Sequence, residues 1–185
     1  MRNCFAMLAV SALAFAAAPA GAQGVAESGG AHPHTREGFW IGFGLGAGSL
    51  GCEDCGDRET AFSGNFKLGG TINPHFLLGA ETNGWYKSES GVTLTYGNLS
   101  AVAYYYPSVT SGFYLKGGLG VANLKADVDA FGSDSETGSG AVLGLGYDAR
   151  VGRNFSLTPY VNVMGGSFND GNLNVVQFGL GFTWH

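Results

Sequence analysis

Charge is scarce in this chain. Only 12% of its residues are Asp, Glu, Lys or Arg, and the formal net charge is -5. A nucleic-acid surface needs clustered cations to displace counterions, so that class is excluded. Long hydrophobic runs are equally rare. The only one lies at the extreme N-terminus, so no transmembrane helix follows. No stretch after residue 37 keeps a 3.6-residue apolar period, which leaves no amphipathic helix to pack. Glycine is abundant instead, at 33 of 185 residues, but no Gly-X-Y period runs through it and collagen is excluded. Aromatic residues, at 13%, argue against a disordered chain. The length suits one domain.

The N-terminal run has its own logic. Arg2 precedes an apolar stretch from Phe5 to Ala18, and Ala20-Gly21-Ala22 forms a small-x-small cleavage site. That length is a signal-peptide core rather than a bilayer span, so residues 1–22 are expected to be removed on export. Residues 23–37 are rich in breakers and read as a flexible lead-in. His32 and His34 within it are too few to define a metal site, and none is expected.

From Gly38 onward the dominant period is two. Strands are predicted at Phe39–Gly48, Ser63–Ile72, Phe76–Tyr86, Val92–Tyr105, Phe113–Val121, Ala141–Val151, Phe155–Phe168 and Leu173–Trp184, eight in all. In the fourth, Val92, Leu94 and Tyr96 keep one phase while Leu99, Ala101 and Ala103 keep the other, which predicts a bulge near Gly97. Pro159 within the seventh lacks a ladder donor. Turns at 73–75, 107–111 and 152–154 are short; the connections at 50–60, 87–91, 125–138 and 169–172 include two long ones.

Five charged residues fall within these strands: Lys67, Glu81, Lys116, Asp148 and Arg150. All lie on the face opposite the large aliphatics. A soluble lipocalin-like binder places aliphatics inside and charges outside, whereas a transmembrane barrel reverses both. The five are therefore expected to form a charge network in the barrel interior. Phe39, Phe76, Phe113 and Phe155 open alternate strands at spacings of 37, 37 and 42 residues, and with Tyr105 and Trp184 they predict an aromatic girdle at one membrane interface. The fold class is thus all-β: an eight-stranded antiparallel up-and-down transmembrane β-barrel over residues 38–185.

The end of the chain carries the most specific local pattern. Gln177, Gly179, Phe182 and Trp184 are spaced as in the closing strand of bacterial outer-membrane barrels, with one further residue, His185, after the last aromatic. With the signal peptide and eight strands, the chain resembles the small outer-membrane β-barrel family typified by outer-membrane proteins A and X and the opacity-type proteins. The resemblance implies location in a Gram-negative outer membrane, assembly by the barrel-assembly machinery, termini in the periplasm and the longer loops outside. Its members anchor, adhere, conduct small solutes or, rarely, modify lipids.

Three functions are weighed on this basis. A non-enzymatic envelope or surface protein with adhesive loops leads. A narrow conduit for ions or small hydrophobic solutes is the alternative, and a soluble lipocalin-like binder is the third. No histidine sits near the outer rim beside a serine, so no catalytic residue is assigned. No cofactor motif is present. Cys52 and Cys55, in an exported chain and beside three acids, are expected to form a loop disulfide rather than a redox pair. The stretch from Asp127 to Glu136 is acidic and fits no EF-hand spacing. It makes the outer end negative, so contact with lipopolysaccharide is expected to need divalent cations. The expected partners are outer-membrane lipid, lipopolysaccharide and the assembly machinery, with the barrel itself a monomer.

Overall fold

A computed structural model describes residues 36–52, 56–128, 132–169 and 171–185. The cleavage site, His32 and His34, and Cys55 lie outside the described residues. Among the described residues nine strands run in chain order: β1 Phe39–Cys52, β2 Glu59–Asn73, β3 Phe76–Glu89, β4 Val92–Tyr105, β5 Phe113–Val128, β6 Gly132–Tyr147, β7 Ala149–Arg150, β8 Phe155–Phe168 and β9 Gly171–Trp184. β6 and the two-residue β7 form one barrel strand interrupted at Asp148, because both pair with β8. Each strand is antiparallel to its neighbour, and β1 pairs with β9 from Ile41↔Trp184 to Cys52↔Leu173, which closes an eight-stranded barrel. Closure leaves every strand paired on both sides across the apolar band, the one sheet arrangement compatible with hydrocarbon.

Alternation sorts the side chains. Leu119, Leu143 and Phe39 face outward at 75%, 67% and 63% exposure, while Lys67, Glu81, Lys116 and Asp148 are buried inside. This polarity excludes the lipocalin-like arrangement. Phe39, Phe76, Tyr105, Phe113 and Trp184 are exposed, and Phe155 is half-buried against Trp184 at 4.9 Å. Tyr147, opposite Phe113 in register, joins this ring. All lie at the terminal end of the barrel, which carries residues 36 and 185.

Three expectations are corrected. β4 contains no bulge: its register with β3 and β5 is unbroken through Gly84↔Gly97 and Gly97↔Asn123. Leu94 and Tyr96 instead face inward, because the barrel interior turns apolar at its far end. Among the described residues a register shift sits instead between Thr71 and Asn73, where Asn73 Oδ1 accepts from the backbone N–H groups of His75 at 2.9 Å and Phe76 at 3.0 Å. The far-end connections are also shorter than expected. β3 and β4 are joined through Ser90 and Gly91, both at positive φ (53° and 81°), a tight two-residue hairpin turn. Most of the acidic stretch is strand: β5 and β6 stay paired out to Val128↔Gly132. Exposed on both faces, it lacks the alternation by which strands are read.

Candidate functional site: the barrel interior and its ends

The interior is layered. In the middle layer Lys116 and Tyr104 both hydrogen-bond the Glu81 carboxylate, and all three are buried. Lys67 is the direct cross-strand partner of Glu81, yet among the described residues it makes no ion pair. Its ammonium lies instead 5.4 Å from the Tyr104 ring and 5.5 Å from the Tyr114 ring. Trp40 packs edge-on to Tyr104 at 5.2 Å. Large rings fit here because the facing strands present glycine. A Cβ on Gly42 would meet Lys67 Cε at 2.8 Å, and one on Gly69 would meet Trp40 at 2.6 Å.

Toward the terminal end Asp148 accepts from Tyr106 Oη and Thr158 Oγ1, each at 2.7 Å, with His185 Nε2 at 3.6 Å. Arg36 lies 3.6 Å over the Tyr106 ring and donates to Ser111 O at 2.5 Å. Arg150, half-buried at the rim, donates from Nη1 to Arg153 O at 3.1 Å. The interior charges therefore divide: Lys116 with Glu81 in the middle, Asp148 with hydroxyls and His185 at the mouth. Arg36, Tyr106 and His185 went unrecognised at the sequence level because each lies outside the period-2 runs.

Above the charged layer Gln177 donates to Ser63 Oγ at 2.7 Å and accepts from Asn162 at 2.8 Å. The far end is then capped by Leu50, Trp85, Tyr96, Ala122, Met164 and Val175, with Trp85 Nε1 donating to Gly48 O at 2.8 Å. The lumen is thus filled by side chains: an ionic layer, a polar layer and an apolar cap in series. Of the closing-strand residues, Gln177 points inward and Gly179 pairs with Gly46. Phe182 and Trp184 lie outside on the β1–β9 seam, 5.2 Å and 6.0 Å from Phe43. Among the described residues no group of three metal-ligating side chains occurs.

At the far end the ionic contacts are solvent-accessible. Lys87 pairs with Glu59 and, at 2.9 Å, with Glu89. Hydrogen bonds to Glu59 and then Glu89 raise the Lys87 pKa, and the Lys87 bond holds the Glu89 carboxyl below its usual range.

An antiparallel barrel with an apolar exterior and a charged, filled interior defines a membrane β-barrel protein. The chain belongs to the outer membrane protein beta-barrel domain family, which it matches over residues 5–185. Among solved structures it is similar in fold to Ail, the attachment invasion locus protein of Yersinia pestis, with a TM-score of 0.60 at 17% identity over 80% of this chain and 99% of that one. It is also similar to Neisserial surface protein A, with a TM-score of 0.61 at 18% identity over 80% and 97%. No curated protein matches it in sequence.

Proposed function

We propose that this protein is a non-enzymatic surface barrel of the outer membrane that presents an adhesive strand edge to the exterior. The observation that supports it is the outer half of the β5–β6 hairpin. β6 pairs with β8 only from Ser139 onward, so residues 132–138 pair with β5 alone. That edge runs for about 20 Å with its outward backbone groups unclaimed by a neighbouring strand. Such an edge can accept an extended segment of another chain as an added strand. Asp134 on it, and Glu136, whose Oε1 accepts from the Asn169 backbone N–H at 2.7 Å, favour a cationic segment, while Asp127, opposite Ser133, is already paired with Lys125 at 2.6 Å. Ail bears attachment in its name, and a common fold makes the comparison relevant without transferring its partner.

The conduit alternative is disfavoured by the stacked ionic, polar and apolar layers, which leave no continuous polar path. Export with removal of residues 1–22 and a Cys52–Cys55 bridge belong to the same reading, as do assembly by the barrel machinery, residence as a monomer and divalent-bridged contact with lipopolysaccharide.

The test is binding of cells displaying the protein to a surface coated with a Lys/Arg-rich extended peptide. The Ser133→Pro, Ser135→Pro double variant should lose that binding, because proline removes edge donors. It should retain the faster migration of an unboiled sample that marks a folded barrel. Unchanged adhesion by the folded variant would remove the edge from the proposal, and measurable single-channel conductance would revive the conduit.

A further inference from the structure

The apolar belt is not uniformly convex. A groove of about 610 Å³ lies over β6, β8 and β9 between Phe113, Tyr147, Pro159 and Phe178. It continues into a second depression of about 370 Å³ that shares Leu145 and Val161 and reaches Leu143 and Val163. From Pro159 to Val163 the combined track runs along β8 for roughly 13 Å, at ~3.3 Å per strand residue.

The physical origin is local. Pro159 has no N–H to give the ladder. Pairing between β6 and β8 stops at Gly146↔Tyr160, and β7 resumes it in the same register at Ala149↔Leu157. The Asp148–Thr158 hydrogen bond at 2.7 Å closes that gap from inside. On the outside, the small side chains of Ala47 and Pro159 leave a trough between larger neighbours. Its floor is the register row of Gly46, Gly179 and Gly146, behind which Tyr160 packs.

The groove opens toward the girdle at Phe113 and Tyr147. Four residues further along β8 from Pro159, roughly 13 Å at ~3.3 Å per strand residue, lies the turn at 151–154, where Arg153 is exposed. An apolar track with an exposed guanidinium beyond it on the side of the girdle matches a molecule with an acyl chain, a glycerol spacer and an anionic head.

We propose that this groove is a binding site for an anionic glycerophospholipid of the periplasmic leaflet, its acyl chain along Pro159–Val163 and its phosphate at Arg153. The assignment rests on the outer-membrane reading above, since only a membrane-embedded barrel meets that leaflet. The guanidinium fork matches phosphate geometry, and a cation at the leaflet surface favours anionic over zwitterionic heads.

The experiment is native mass spectrometry of the full mature barrel, refolded in detergent and titrated with dioleoyl phosphatidylglycerol or dioleoyl phosphatidylcholine. The wild type should retain the anionic lipid about fivefold more than the zwitterionic one, the selectivity of one interfacial cation. Arg153→Gln should abolish the preference while leaving residual binding of both lipids. Ala47→Trp, which fills the trough, should remove binding of both, and Leu99→Trp on β4, away from the groove, should remove neither. Equal retention of the two lipids by wild type, or full retention by Ala47→Trp, would overturn the site. Each sample is also run unboiled on a gel. A wild type without the faster band takes the outer-membrane reading down with the lipid site, whereas a folded barrel without preference removes the lipid site alone.

Discussion

Lys67 and Glu81 stand directly opposite each other in the β2–β3 ladder, yet the ion pair of Glu81 is made by Lys116, across the lumen from β5. Two lysines thus approach one carboxylate in the middle layer, and only one bonds it. Removing one partner of a buried pair strands the other without water. Lys116→Met is therefore expected to destabilise the barrel by about 3–5 kcal/mol, and the Lys116→Met, Glu81→Leu double variant by much less. Lys67→Met should fall between them. Urea unfolding in lipid vesicles, followed by tryptophan fluorescence, reads all three, and a double variant as weak as Lys116→Met would contradict the pairing.

Two glycines separate tight from open backbone. A Cβ on Gly46 would lie 2.0 Å from Phe178 O, whereas one on Gly84 would meet nothing within 4 Å. Gly46→Ala must shift the β1–β9 seam and is expected to lose about 1–3 kcal/mol or more. Gly84→Ala is expected to be neutral or to gain up to about 1 kcal/mol through the unfolded chain. The same unfolding curves distinguish the two, and equal behaviour would mean the seam is looser than described.

The β3–β4 hairpin end carries the Lys87, Glu59 and Glu89 cluster beyond the apolar band. Glu89, lowered from its ordinary 4.5, contributes above that value, and its contribution fades as pH falls through the depressed one. Lys87, raised from 10.5, contributes below that value and loses its part as pH rises further. Hydrogen-exchange protection of this hairpin, corrected for intrinsic exchange, should be flat between those limits and weaken beyond either. Lys87→Met should flatten both ends, and the effect is small because the groups are accessible to water.

Arg36 is 2% exposed and clamped over Tyr106. Trypsin should therefore cut after Arg36 slowly in the folded barrel. Tyr106→Leu removes both the ring beneath the guanidinium and the hydroxyl on Asp148, and should speed that cut about tenfold or more, the effect of ~2 kcal/mol of lost cation–π contact and packing. Mass spectrometry of the digest gives the rate at that single bond. Rapid cutting of the unaltered barrel would mean the clamp is open in solution.

Legibility in the sequence followed the solvent. Where one strand face meets hydrocarbon and the other the lumen, as from Phe39 to Gly48 or Ala141 to Tyr147, alternation was complete and strand, face and fold class could be read from it. The phase of Lys67, Glu81, Lys116 and Asp148 likewise followed from covalent alternation alone. Where both faces meet water, as from Ser133 to Glu136, nothing selects apolar residues and no alternation marks the strand. Where the lumen itself is apolar, at Leu94 and Tyr96, the same rule suggested a bulge that β4 does not have.

The sequence by itself therefore determined the barrel, its inside-out polarity and the terminal aromatic ring, because each depends only on the two-residue period of a strand. Tertiary structure alone decided which lysine bonds Glu81, that Tyr106 and His185 meet at Asp148 with Arg36 over the Tyr106 ring, and that Ala47, Leu145 and Pro159 share one groove. Those contacts join residues from different strands, and only closure of the barrel and its register set which side chains come within a few ångströms of one another.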